Sequence, residues 1–376
     1  MMHQTTSIIQ AYQDYCQRYD QFIIATVVEV TGSTYHRPGT RMLISPDGQH
    51  VGSISGGCLE KDLLQKADWH LQRADTALIE YDTRMEDDLE DSELPTGPFN
   101  TGCSGIVHVL LERVTSQCVV KSNHALQLQV NASTTGQSCS SLTVYRSHHP
   151  DWTVGQTLTD DLMTLQTDKA ISCHQLNFAG HQIDVLYEQI DPPKQLWIFG
   201  AGDDVLPLVD IANTLHWQVT VIDRRSQLAN KSRFPYATVI NTPDDNYIST
   251  ARHPDYCVAM THNIARDAAL LPLLIDLKPA YIGLLGPAAR FDRLKRYWHA
   301  NQQTTMNDAA CASIHAPIGL NIGADNAREI ALAISADIIA DARQRNGQTL
   351  SQTTRPLHQP VLKQLHDVET ALAKQA

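Results

Sequence analysis

The stretch Leu196 to Arg225, LWIFGAGDDVLPLVDIANTLHWQVTVIDRR, constrains the fold more than any other part of this chain. Leu196-Trp197-Ile198-Phe199 is an apolar run with the length of a buried strand. It stops at Gly200-Ala201-Gly202, where two glycines open backbone angles closed to other residues. Pro207 sits early in the next segment, where its missing N–H costs a helix nothing. Leu206, Val209, Ile211, Ala212 and Leu215 then recur at helical spacing, and a second apolar run, Val219 to Ile222, ends on Asp223. Strand, glycine turn, helix, strand is the opening of a doubly wound parallel sheet.

The ligand signal inside this unit is weaker than the fold signal. A dinucleotide fingerprint wants a third glycine where Val205 stands. Asp203 and Asp204 occupy the helix start, where the macrodipole favours negative charge. They are placed to cap the helix, and they would repel a pyrophosphate seeking the same N–H groups. Asp223 stands where an acid binds a ribose 2′-OH. Downstream, Ala237–Ile240, Tyr256–Met260 and Tyr281–Leu285 read as further strands, with helices over Ala268–Leu277, Phe291–His299 and Asn326–Arg343. Thr261-His262-Asn263 and Gly286-Pro287 then fall at the carboxyl ends of strands, the ligand side of such sheets. His262 is a candidate for ligand contact or proton transfer.

With 376 residues the chain is long for one core, so more than one domain is expected. No apolar run approaches the ~20 residues of a membrane span, and a net charge of −12 argues against a nucleic-acid surface. The N-terminal segment is polar without a basic region, so no secretory signal is expected. Eight cysteines without a compact spacing fit a reducing cytoplasm. None has zinc-finger spacing, and no structural zinc is expected.

In the first part, residues 7–20 read as an amphipathic helix and Phe22–Val30 as a buried strand. Arg41–Ser45 and Val51–Ser55 follow as strands about the turn Pro46-Asp47-Gly48. Gly56-Gly57-Cys58 then precedes a helical pattern, a position that lowers a thiol pKa and exposes the thiolate. Ala77–Tyr81 is a strand, followed by an acidic run read as a solvated loop. Cys103 repeats the arrangement of Cys58 inside Gly102-Cys103-Ser104-Gly105, before a strand over Ile106–Leu111. Two glycine-flanked thiols suggest a soft-ligand or thiol site shared between two loops, with a disulfide as the competing outcome. Residues 116–194 are Ser-, Thr- and Gln-rich, with candidate strands near Leu142–Tyr145 and Gln182–Tyr187, and read as a β-rich extension or lid. The chain thus divides into 1–115, an α+β domain; 116–194; 195–343, a Rossmann-like domain; and 344–376, a polar tail that is either a short docked helix or frayed.

Thr31-Gly32-Ser33, Arg37-Pro38-Gly39-Thr40-Arg41-Met42, GSISGGCLE (Gly52 to Glu60) and GCSG (Gly102 to Gly105) together resemble the signature of the XdhC/CoxI family of xanthine dehydrogenase accessory proteins. IFGAGDD, MTHN with Asp267, GLLGP and HAPIGLNIGA are similar to that family's C-terminal nucleotide-like domain. Ser104 departs from the Gly or Asn more common there. The resemblance implies a chaperone that binds and protects the molybdenum cofactor, supports its sulfuration and inserts it into a molybdenum hydroxylase such as xanthine dehydrogenase; a homodimer is expected of a platform that must dock so large a partner. Cys103 or Cys58 is then the thiolate suited to the metal, with Gly56 and Gly57 shaping the loop. A pterin or pterin nucleotide would lie near Gly200, Gly202, Thr261 and His262, with Asp223 beside it. Two other readings stand. One is an NAD(P)-dependent oxidoreductase using Gly200, Gly202 and Asp223, with His262 as proton donor. The other is a sulfur-transfer thiol protein loaded by a cysteine desulfurase.

Overall fold

The computed structural model describes residues 2–32, 37–73, 75–83, 105–115, 125–159, 170–178, 180–242, 253–302, 314–352 and 364–367. The chain divides into two compact units, residues 1–192 with 358–376, and residues 193–357. No described helix is long and apolar enough to cross a membrane.

The first unit opens with helix α1 (Met2–Arg18) and strand β1 (Gln21–Gly32). Strands β2 (Arg41–Ile44) and β3 (His50–Gly52) follow, then helix α2 (Glu60–Arg73) and strands β4 (Ala77–Asp82) and β5 (Gly105–Thr115). The five strands form an antiparallel sheet in the order β3-β2-β1-β5-β4. β1 reads as an unbroken apolar run because both of its faces are covered. Phe22 and Ile24 pack with Ile8, Tyr12 and Tyr15 of α1, and Ile23, Ala25 and Val27 pack with Leu63, Ala67 and Leu71 of α2.

Residues 125–190, expected as a β-rich extension, are helix α3 (Ala125–Thr135) and a second sheet. Its strands are β6 (Cys139–Ser147), β7 (Thr157–Thr159), β8 (Ile171–Phe178) and β9 (His181–Ile190). Val28 and Leu110 of the first sheet pack against Tyr145, Cys173 and Leu186 of the second. The expected polar tail corrects to something else. Leu350–Gln352 is a 3-10 turn, and Gln364–Asp367 is a strand parallel to β8, so the chain returns to the first unit after completing the second. Hydrogen bonds along a sheet edge supply what this polar segment lacks in apolar periodicity.

The second unit contains β10 (Gln195–Phe199), α4 (Val205–Thr214), β11 (Gln218–Ile222), β12 (Thr238–Ile240), β13 (Tyr256–Ala259), α5 (Ile264–Leu277), β14 (Tyr281–Leu284), α6 (Ala288–Gln302), β15 (Ile314–His315) and α7 (Ala327–Ala342). The described strands are parallel in the order β12-β11-β10-β13-β14-β15. This is the doubly wound order in which connections reverse direction between the first and fourth strands. Helices cover both faces: α4 and α7 through Leu208, Val209, Ile334 and Ile338, and α5 and α6 through Leu271, Leu274, Leu294 and Trp298. The reversal between β10 and β13 opens a crevice between the Gly200 turn and the Thr261 loop.

Candidate functional site

The crevice is built by close approach and ion pairing. Gly200 has φ +126°, and a Cβ there would run into the carbonyl oxygen of Met260 at the end of β13. Both the backbone angle and the contact demand glycine. Gly200→Ala is therefore expected to destabilise the second unit by about 3 kcal/mol or more, seen as a lowered calorimetric transition. Gly202 is less constrained, since a Cβ there would meet the Asp204 side chain and not backbone.

The two loop acids do not cap α4 through their side chains as expected. Asp204 occupies the cap position without a side-chain hydrogen bond to the helix. Its Oδ2 instead lies 2.8 Å from His262 Nε2, and Asp203 pairs with Arg233. Arg233 also donates to the carbonyl oxygens of Ala201 (2.7 Å) and Leu228 (2.9 Å). For Asp203 the Arg233 guanidinium outbids a local N–H, because a charge-assisted contact is the stronger one.

Asp223 is fully buried at the end of β11. Its carboxylate accepts from Ala201 N (3.0 Å), Arg225 N (2.9 Å), Arg225 Nε (3.0 Å) and Arg225 Nη2 (2.6 Å), with Arg266 Nη1 at 3.6 Å. Burial alone would raise its carboxyl pKa. The Arg225 hydrogen bonds and the charges of Arg225 and Arg266 outweigh that and hold it below the ordinary value. Oδ2 ties Ala201 of the glycine turn to Arg225, and Oδ1 accepts from Arg225 alone. On the facing loop, His262 adopts φ +57° with its side chain 59% exposed. Thr261 Oγ1 bonds Asp267, which pairs with Arg290 at 2.6 Å, and the Asn263 side chain caps α5 by accepting from Arg266 N. Of the residues expected here, Gly200, Gly202, Asp223 and His262 do come together around one rim.

In the first unit, Cys58 is an exposed free thiol. The strand expected over Val51–Ser55 ends at Gly52, because Ser53 to Gly57 turn away to bind Glu60, a residue that sequence reasoning left without a role. Burial would raise the Glu60 carboxyl, but the hydroxyls of Ser55 and Ser53 and the surrounding N–H groups bring it down to about 2. Gly56 and Gly57 take φ +80° and +119°, which explains the double glycine. The only advance signal for Glu60 was its place as an acid in the first turn of α2.

Cys103 lies outside the described residues. Gly105 begins β5 and pairs with Gly32. Thr83 Oγ1 donates to the Gly105 carbonyl (2.8 Å) and anchors this corner. β3 ends level with Ala25 in the middle of β1, since Met42 pairs with both Gly52 and Ala25, whereas β5 begins opposite Gly32 at the end of β1.

The chain is similar to known proteins in both of its units. Residues 196–338 match the XdhC Rossmann domain, and residues 16–82 match the XdhC and CoxI family. A Bacillus subtilis protein that carries the name of a probable xanthine dehydrogenase subunit is 30% identical over 328 residues, covering 85% of this chain and 93% of that one. The uncharacterized Escherichia coli protein YqeB is 25% identical over 166 residues, 43% of this chain and 30% of its own. A crystal structure described as a xanthine dehydrogenase from Bacillus halodurans superposes with a TM-score of 0.67 at 26% identity, covering 93% of this chain and 98% of that one. With both family models matched in order and a relative spanned almost end to end, the chain belongs to the XdhC and CoxI family.

Proposed function

We propose that this protein is a xanthine dehydrogenase accessory factor that binds the molybdenum cofactor and delivers it to a molybdenum hydroxylase. The observation that carries the reading is the exposed Cys58 thiol behind two glycines of positive φ. Its family context supports the partner: a relative covered over 93% of its length is named as a xanthine dehydrogenase subunit. A thiol open to solvent on a glycine loop fits a soft metal centre, because molybdenum bound by a dithiolene accepts thiolate ligands. Cys58 would hold the metal, and the flanking glycines would let the pterin approach without side-chain interference. Sulfuration of the cofactor before delivery, with a cysteine desulfurase as sulfur source, and a homodimeric platform belong to the same proposal.

The test is retention of pterin. Protein mixed with molybdenum cofactor and passed through gel filtration is expected to keep near-stoichiometric pterin, read as oxidised-pterin fluorescence. Cys58→Ala or Cys103→Ala is expected to lower retention about ten-fold or more, as loss of a metal ligand does. Undiminished retention in both variants would remove the thiol site. The dinucleotide oxidoreductase remains the second reading because the strand order is that of NAD-binding sheets. Against it stand Val205, the Asp204–His262 pair over the start of α4, and the committed oxygens of Asp223. Tight binding of any form of NAD(P) in a titration would reinstate it.

A further inference from the structure

We propose that the outer edge of β8 is a strand-docking site whose occupant, the tail strand Gln364–Asp367, is exchanged between two copies of this chain. β8 pairs with β9 along its whole length, from Ile171 opposite Glu188 to Phe178 opposite His181. Packing fixes it on both faces: Cys173 lies with Val28 and Leu110 of the first sheet, and Leu176 with Ile183 and Val185 of its own. Cys173 Sγ also donates to the Val28 carbonyl (3.0 Å). β8 is therefore held in place without the tail. Its other edge offers a row of N–H and C=O groups to whatever extended segment lies beside it. Here that segment is the tail strand, with Gln364 opposite His174 and Asp367 opposite Asn177.

The occupant is a weak one. It is four residues long, and its ladder is the one parallel pairing among the described strands of this sheet. Parallel ladders are slightly less stable per residue than antiparallel ones, and main-chain hydrogen bonds are what give such a site its affinity. In sequence, the whole second unit, residues 193–357, lies between β8 and the tail. Covalent connection to its own β8 therefore supplies the tail only with an effective concentration, of about millimolar order or below. A second copy presents the same segment with the same groups. Exchange keeps every hydrogen bond of the ladder and loses only that concentration, which two reciprocal exchanges within one dimer restore. Residues 353–363, between the 3-10 turn and the tail strand, can reach roughly 40 Å when extended, farther than a small domain is wide.

The test uses the full chain and a fluorescein-labelled peptide of residues 358–376. Successive N–H groups of a strand point to opposite sides. The double variant Leu365→Pro, His366→Pro thus removes a ladder donor whichever of the two faces β8. This variant is expected to bind the peptide with about micromolar affinity, read by anisotropy, and the wild type, whose own tail competes, about ten-fold or more weakly. Hydrogen exchange at His174–Asn177 is expected to quicken in the variant and to slow again when peptide is added. Wild-type chain at about ten to a hundred micromolar is expected to form a dimer that a large excess of peptide converts to monomer, read by light scattering. A variant that binds no peptide, with exchange at β8 unchanged, would overturn the docking site. A wild-type size indifferent to the peptide would overturn the exchange between copies. Should the double variant fail to fold, the wild-type dissociation decides alone, in the same two directions. The proposal stands apart from the cofactor reading, since pterin enters none of these measurements.

Discussion

Replacing Asp223 by Ala is expected to lower the melting transition of the second unit by on the order of 10 °C. The carboxylate is the acceptor for the Ala201 N–H and the partner of the Arg225 guanidinium, with both oxygens used. Deleting it orphans a buried N–H, at about 1–3 kcal/mol, and opens a small void beneath the glycine turn. Arg225 recovers part of its loss from water because its side chain is 39% exposed, which keeps the total near 3 kcal/mol. A unit of this size loses roughly 2–4 °C per kcal/mol. Asp223→Asn keeps one acceptor and should fall between the two. The pH dependence follows from the lowered carboxyl. A group whose folded value lies below its ordinary 3.8 adds stability above that value and loses it as pH falls through the folded one. The wild type should therefore hold its transition down to mildly acid pH, where the Ala variant has nothing further to lose at this position. An Ala variant melting within about a degree of wild type would show that the carboxylate is not a strut, and would return Asp223 to the ligand-binding candidates.

The doubly wound unit was legible because its signals are local. Val219–Ile222, Asp223 and the Gly200 turn each carry their own constraint, and strand order follows from chirality and short connections. The tail strand at Gln364–Asp367 was not legible, because a four-residue polar strand is specified by the edge it joins and not by its own pattern. The site was legible at the level of loops and illegible at the level of partners. Gly56, Gly57 and Cys58 announced a special turn, but that Glu60 would gather its donors depends on how α2 begins. Asp203 and Asp204 looked like caps because sequence shows their neighbours along the chain. His262 and Arg233, which claim them, come from 58 and 30 residues away. Ion pairs at long separation have no periodicity to betray them.

Arg41 and Glu188 are a case of that kind, and their removal is expected to be strongly non-additive. The pair joins β2 of the first sheet to β9 of the second, with side chains only 6% and 3% exposed. Arg41 Nη1 lies 2.9 Å from Glu188 Oε1, Nη2 bonds Oε2, and Nη1 also donates to the Gly39 carbonyl (3.3 Å). Arg41→Met or Glu188→Leu alone leaves a charge buried without its counter-ion, at about 3–5 kcal/mol, and should lower the first unit's transition by on the order of 10 °C. The double variant should recover most or all of that loss, since apolar side chains of similar volume avoid the desolvation cost of both charges. Two features favour recovery. Arg41 Nε is buried without a hydrogen-bond partner, so the native pair is incompletely satisfied, and Ile171 packs beside Gly39 at the same place. Calorimetry on the two single variants and the double closes the cycle, and simple additivity would show that the two side chains act independently. The result also bears on function. Arg41 belongs to the Arg37–Met42 motif, one of those by which the family is recognised, and a pterin-retention assay on the double variant separates its two readings. Retention close to wild type would make this arginine a fastener between two sheets. Loss of retention in a variant of native stability would instead place the buried charge among the groups the ligand senses.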